Sequence, residues 1–240
     1  MKLNVLALDI EGGHGGSSRS LFYTIKYLDR KKFNIEVWCR LKSHFKDAYS
    51  DMGVKCNIEP LIPKVTSQSR LFINIYLHLK FIYIFLKVWK FRNKLAKEIN
   101  KRFDIVHFNH ESLAWLAFWL KKKTKAVFIF HNRTMLTNTF FSRLQIRVMD
   151  YASDKLIFIT DNEKNNVRDL GAKTIGKVIF NPIEINNKLP NNIKTNKNDT
   201  RFKVCCVSNF SWFRGIDRIV DIASFIKNEG SKNILFVIAG

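Results

Sequence analysis

Short apolar runs of strand length alternate with segments of helical spacing along this chain, and that alternation limits its fold more than any other feature. Residues 3–10 (LNVLALDI) are an apolar run. Residues 17–28 place Leu21, Ile25 and Leu28 on one helical face with Ser17 as an N-cap, and 33–40 (FNIEVWCR) alternate as a strand. A short helix over 44–52, closed by Gly53, leads to a third strand at 54–58. A βαβαβ start of this kind predicts a parallel sheet with right-handed crossovers. Further strands are predicted at 104–109, 126–131, 155–160 and 177–180, each after a helical segment or a turn.

The pattern then breaks and restarts. Residues 181–200 are rich in Asn, Lys and Pro and poor in large apolar side chains, the composition of a linker. Beyond them, 203–208 (KVCCVS) read as a buried strand, 209–215 as a loop, 216–228 as an amphipathic helix and 235–239 (LFVIA) as a second buried strand. That is the opening βαβ of a second Rossmann-like domain, stopping at Gly240. The expected organisation is a first α/β domain over 1–184, a linker over 185–200 and an incomplete second domain over 201–240. On this reading the chain is a fragment of a longer enzyme, inactive by itself.

At 240 residues, 46% hydrophobic and 13% aromatic, the chain has the apolar content of a packed α/β protein. Forty-one Lys and Arg stand against 20 Asp and Glu, a net charge of +21. Such a field attracts polyanions of any kind, and a general abundance of Lys and Asn accounts for it equally well. The aromatics lie inside apolar runs and no RNP, zinc-finger or helix-turn-helix spacing occurs, so nucleic acid is not an expected partner. Cys39, Cys56, Cys205 and Cys206 form no CxxC pair and fall in or beside predicted strands, as small core residues of a reducing compartment do. The N-terminal MKLNVLALDIEGG has no small-residue cleavage site and reads as a first strand, not a signal peptide. The expected location is the cytoplasm.

From Arg70 to Lys94 the sequence is strongly apolar and aromatic, but Lys80 and Lys87 interrupt it. No uncharged stretch approaches the ~20 residues a spanning helix needs. Lys80, Lys87 and Lys94 recur every seven residues along one stripe. Two readings stand: a buried crossover helix whose lysines snorkel outward, or a helix lying on the cytoplasmic face of an anionic membrane.

Candidate chemistry gathers at strand ends. The first strand runs into GGHGGSS (12–18) and then a helix, an arrangement that brings backbone N–H groups close to an anion. The spacing is neither GxGxxG nor a Walker loop, so a plain tight turn and a phosphate cradle are both open. His131 closes an apolar strand (FIFHNR), where the ligand crevice of an open parallel sheet lies. It is a site histidine or a structural strand end, and the same choice applies to His107 and His110 in DIVHFNHES. His14, inside the glycine loop, faces the same crevice on this reading. No DxD or carboxylate cluster occurs, so no metal site is expected.

Five features occur in order: the glycine pair Gly15 and Gly16 after the first strand, FIFH ending in His131, a strand to Thr160 followed by DNEK, NPIE at 181–184, and VSNFSWFRGID at 207–217. Together they resemble the retaining glycosyltransferases of the GT-B fold, family four, over essentially the whole chain. The resemblance implies two Rossmann-like domains facing across a cleft, the first receiving the acceptor and the second binding a nucleotide sugar. It implies that Gly15 and Gly16 approach the donor diphosphate, that His131 sits near the transferred sugar, and that Arg214 contacts the diphosphate. Asn209 stands where the family commonly has Arg, and Arg214 where it has Lys; a guanidinium still holds a diphosphate bidentately. His14 and His110 remain acceptor-side candidates. The implied activity moves a sugar from a nucleotide-diphosphate donor to an acceptor hydroxyl, with no cofactor, on a glycan or lipid-linked acceptor in cell-surface polysaccharide synthesis. A nucleotide-sugar epimerase of the same fold and a non-enzymatic basic module for membrane or nucleic acid are the rival readings.

Overall fold

The computed structural model describes residues 2–13, 15–65, 75–184, 200–208, 214–230 and 233–239; over 75–90 it describes the side chains of Leu86 and Trp89 only. The chain divides into two compact units, Met1–Glu184 and Ile185–Gly240. In the first, β1 (Leu3–Asp9), β2 (Phe33–Cys39), β3 (Lys55–Ile58), β4 (Ile105–Phe108), β5 (Val127–Asn132), β6 (Lys155–Phe158) and β7 (Gly176–Val178) form one sheet. Its order is β3-β2-β1-β4-β5-β6-β7, and every pair is parallel. The order reverses between β1 and β4, which opens a crevice outside their carboxyl ends.

Helices α1 (Gly16–Tyr27), α2 (Lys46–Asp51), α3 (Ile75–Arg102), α4 (Ala114–Lys121), α5 (Phe140–Ala152) and α6 (Asp161–Asp169) connect the strands. Side chains alternate across each strand, so the sheet feeds two cores. Leu6, Leu8, Val106, Phe108, Phe128, Phe130, Leu156 and Phe158 pack with Phe91, Leu95 and Ile99 of α3, Leu116 and Leu120 of α4 and Ile146 and Met149 of α5. Phe108 stacks on Phe130 with centroids 4.5 Å apart. The opposite face sets Val5, Ala7, Ile35 and Val37 against Leu21 and Ile25 of α1 and Tyr49 of α2.

The expected alternation is present, with local differences. The α1 N-cap is Gly15, not Ser17, and no side chain caps this helix. The Ser17 hydroxyl donates instead to Glu11 Oε2 at 3.3 Å, because the glycine turn holds Glu11 within its reach. The second helix is shorter than expected, with its first residues, His44 and Phe45, held in the turn that His44 N closes on Gly12 O at 2.9 Å. The strand expected to run to Thr160 ends at Phe158, and Thr160 instead caps α6, accepting from Asn162 N at 3.2 Å while its hydroxyl bonds Glu163, a capping box. Lys94 of the lysine stripe lies 3.5 Å from Glu59 Oε2 and is thus paired within the protein. The side chains of Lys80 and Lys87 fall outside the described residues. Among the described residues no helix is long and apolar enough to cross a membrane.

The second unit contains β8 (Phe202–Val207), α7 (Ile216–Asn228) and β9 (Ile234–Ala239), with β8 and β9 parallel. This is the expected βαβ, but its strands are not buried: Val207 is 84% exposed and α7 buries no residue. Two strands and one helix offer too few layers to cover either sheet face. Cys205 is consequently exposed, whereas Cys39 is a buried core residue lying 3.7 Å, sulfur to sulfur, from Cys56.

Candidate active site

A buried polar cluster closes the carboxyl end of the sheet at the switch point. Its centre is Asp9, the last residue of β1, fully buried. One carboxylate oxygen accepts from Gly12 N (2.8 Å) and from the Ser18 hydroxyl (2.6 Å). The other accepts from Asn109 Nδ2 (3.0 Å), which also reaches Ser17 O at 3.1 Å. Asp9 therefore clamps both ends of the glycine loop and ties it to the exit of β4. The loop itself requires glycine: Gly12 and Gly13 have φ of +65° and +103°, and a Cβ on Gly12 would stand 2.5 Å from Leu41 O.

Arg133, just past β5, is the cation of this cluster. Its Nη2 donates to Asn109 Oδ1 (2.6 Å), and its Nη1 donates to Ser20 Oγ (2.6 Å) and Asn181 Oδ1 (2.7 Å). Burial lowers its pKa to about 10, against the pull of Asp9 and Glu111, so it stays charged at neutral pH. Buried Glu111 accepts from Arg133 N at 3.3 Å and from the Thr134 hydroxyl. One cluster thus joins the exits of β1, β4 and β5, the first turns of α1, and the NPIE segment. Lys26 on α1 adds a second tie to that segment, an ion pair with Glu184 at 2.8 Å.

The start of α1 is disposed toward an anion. Gly15 is its N-cap without a side-chain cap, and the Glu11 carboxylate lies so close that a Cβ on Gly15 would fall 1.7 Å from Oε2. Glu11 also pairs with Lys64 at 3.0 Å. A carboxylate at a helix N-terminus is favoured by the helix dipole, and an anionic ligand arriving there has to displace it. Around Gly16 the space is open: an added Cβ would meet nothing within 4 Å.

The structure places the sequence-predicted residues unevenly. His131 is 4% exposed and its Nε2 has no hydrogen-bond partner. It stands one residue before the end of β5, which runs on to Asn132, and its side chain lies on the α1 side of the sheet, in a cavity of about 200 Å³ with Ile105, Ile129, Ile157 and Phe180. His107 shares that cavity, its ring 5.7 Å from that of His131. Burial, then the charge of Arg133, push the pKa of His131 down to about 2 and that of His107 to about 3. Both imidazoles are neutral at physiological pH. His110 caps the 3₁₀ turn Glu111–Leu113, its Nδ1 accepting from Ser112 N at 3.1 Å. Arg214 lies in the second unit just before Gly215, the left-handed N-cap of α7. His14 and Asn209 fall outside the described residues.

Sequence reasoning passed over Asp9, Asn109, Glu111, Arg133 and Asn181. Their signal was legible as polar residues ending apolar strands at Asp9, Asn109 and Arg133, but only the folded sheet brings them together. Among the described residues no group of three or more His, Cys, Asp and Glu is disposed to hold a metal ion.

The sequence profile of Glycosyltransferase Family 4 matches residues 14–187, most of the chain, and the chain belongs to that family. No curated protein sequence matches it. Its fold is that of GT-B glycosyltransferases. Anabaena Alr3699/HepE, solved in complex with UDP, is similar with a TM-score of 0.64 and 16% identity, covering 100% of this chain and 70% of its own. A glycosyltransferase from Rickettsia africae ESF-5 aligns with a TM-score of 0.66 and 14% identity, over 100% of this chain and 69% of its own. A putative UDP-N-acetylglucosamine 2-epimerase from Listeria monocytogenes aligns with a TM-score of 0.54 and 13% identity, over 99% of this chain and 62% of its own.

Proposed function

We propose that this protein transfers a sugar from a nucleotide-diphosphate donor to an acceptor hydroxyl with retention of anomeric configuration, in the synthesis of a cell-surface glycan. The observation that carries this reading is the buried Asp9–Asn109–Arg133 cluster, which fixes a glycine loop and an uncapped helix start at the switch point of a Family 4 chain. HepE, of the same fold, has been solved with UDP-glucose, which supports a nucleotide sugar as donor.

In this reading the loop amides around Gly15 and Gly16 meet the donor diphosphate, and Arg214 and Asn209 are the donor-binding residues of the second unit. Stabilising the departing diphosphate is the protein's main contribution to rate, because charge develops there in the transition state. Asp9 and Arg133 hold the loop and do not themselves react. Neutral His131 contributes a hydrogen bond to the transferred sugar; at its lowered pKa it is not a general base. His14 and His110 stand on the acceptor side, and the acceptor is a glycan or lipid-linked glycan met on the cytoplasmic side of the membrane. No cofactor takes part.

The epimerase neighbour favours one second reading, an epimerase of the same fold. Incubating the longest natural form of the protein with a panel of nucleotide sugars, with and without acceptor, and following the anomeric protons by NMR separates the two. Transfer is expected to need acceptor and to give a retained glycosidic product. Formation of an epimer without acceptor would overturn it. In the same protein His131→Ala should lower kcat far more than it weakens nucleotide binding, and Arg214→Ala should weaken both. Unchanged turnover in His131→Ala would remove this histidine from the site.

A further inference from the structure

Helices α4 and α5 turn a joined aromatic surface to solvent. Phe140, Leu144, Arg147 and Tyr151 follow one another on α5 at intervals of four, three and four residues, so they form one stripe along the helix. Phe140 is 73% and Tyr151 52% exposed. The Phe141 ring lies 5.5 Å from that of Phe140, and the Tyr151 ring lies 5.5 Å from that of Phe118 on α4. Isolated exposed apolar residues are ordinary, but a contiguous group of this kind marks a contact surface.

Its charges point to the partner. Arg143 and Arg147 are exposed on α5 beside these residues, Arg143 with its Nε donating to Asn138 Oδ1 at 2.8 Å, and Lys122 and Lys123 are exposed just past the end of α4. Helix α4 has no acidic residue and α5 has one, Asp150, whose carboxylate accepts from Thr174 N at 2.8 Å. Asp154, just beyond α5, is occupied by Lys121 Nζ at 2.6 Å and Phe128 N at 2.7 Å. Aromatic rings at the water–hydrocarbon boundary, ringed by cations whose acidic neighbours are already engaged, suit an anionic lipid surface. A protein partner would need a matching acidic and apolar face; a bilayer offers both over any area.

We propose that the α4–α5 face docks the protein on an anionic lipid bilayer, with Phe140, Leu144 and Tyr151 entering the interface and Arg143 and Arg147 at the headgroups. Because α5 follows β5, its Phe140 end lies at the carboxyl edge of the sheet, the edge that carries the Asp9 cluster. Docking lays α5 along the lipid surface, with its Phe140 end at that edge and its Tyr151 end toward the opposite one. The surface is distinct from the lysine stripe of α3, whose Lys94 is paired with Glu59, and the docking is read without any turnover.

The test is sedimentation of the chain with vesicles of phosphatidylglycerol and phosphatidylcholine, against phosphatidylcholine alone. Wild type should bind the anionic vesicles, and a Phe140→Ser, Leu144→Gln, Tyr151→Gln variant should bind about tenfold or more weakly. Arg143→Glu with Arg147→Glu should lose the preference for anionic lipid while keeping the circular dichroism spectrum and unfolding midpoint of wild type. A Lys80, Lys87 and Lys94→Glu variant should still bind. The proposal fails if wild type does not sediment with anionic vesicles, or if the α5 variant binds as wild type while the α3 variant does not. It fails equally if ultracentrifugation shows a wild-type dimer that the α5 variant abolishes with vesicle binding unchanged, since the face would then be covered by a second copy.

Discussion

The two faces of the seven-stranded sheet are built from the same strands, residue by residue, yet they end differently. On one face Phe108, Phe128, Phe130 and Phe158 are sealed beneath α3, α4 and α5, none more than 2% exposed. On the other, the alternate residues Ile105, His107, Ile129, His131 and Ile157 line a cavity that α1 only partly covers. Both sets are short on charge, as a parallel sheet requires. The difference is that the sealed face takes only apolar side chains from β4 (Val106, Phe108), β6 (Leu156, Phe158) and the Phe128–Phe130 part of β5, while the other admits two imidazoles and lies beside the buried Asp9–Arg133 cluster. Packing is concentrated on one side of the sheet and polar chemistry on the other.

The sharpest way to break this comparison is to empty one position on each face of β5. Phe130→Ala removes a fully buried ring stacked on Phe108 and should cost about 3–5 kcal/mol. Ile129→Ala, one residue away and lining the cavity, should cost about 1–2 kcal/mol, because the site already has open space beside it. Equilibrium unfolding in denaturant reads both. Equal losses would mean that the cavity wall is packed as tightly as the sealed core.

The second expected effect lies at the carboxyl edge. Arg133→Met leaves Asn109, Ser20 and Asn181 without the donor that joins them, in a buried place, and should destabilise the first unit by about 2–3 kcal/mol. Protease sensitivity around the glycine loop and around Asn181 should rise together, since Arg133 ties both. A loss confined to one of them would show that the cluster is two independent parts.

The alternation of strand-length and helical segments made the parallel sheet legible in the sequence, because strand and helix periods differ and the central strands β1 and β5 carry long apolar runs. The glycine loop was legible for the same kind of reason: Gly12 and Gly13 stand where only glycine takes the required φ without strain. What was not legible is anything that depends on residues far apart. Asp9, Asn109, Arg133 and Asn181 are separated by up to 172 positions and meet only because strand order reverses between β1 and β4. The histidines were legible as polar residues near strand ends, but not their surroundings: His110 caps a turn, and His107 and His131 share a cavity lined mostly by apolar side chains. The exposure of β8 and β9 escaped sequence reading as well, since an apolar strand looks the same whether or not another layer covers it.

The smallest effect concerns those two histidines and separates the faces by pH. Their folded pKa values, about 3 for His107 and about 2 for His131, lie below the usual imidazole value because burial and Arg133 oppose protonation. The unfolded chain titrates near ~6.5, so between that pH and about 3 it binds protons that the folded protein refuses. Stability must then fall as pH drops below the unfolded value and continue to fall until the folded pKa is reached. At pH 5.5 each histidine should contribute on the order of 1 kcal/mol to this loss. Carboxylates elsewhere titrate in the same range, so the reading is a difference: wild type minus a His107→Gln, His131→Gln variant, in unfolding free energy, at pH 7.5 and 5.5. The variant should be flatter by about 2 kcal/mol over that interval. Parallel pH profiles would show that both imidazoles reach solvent and charge freely, and the cavity-lined face would then be as wet as the protein's exterior.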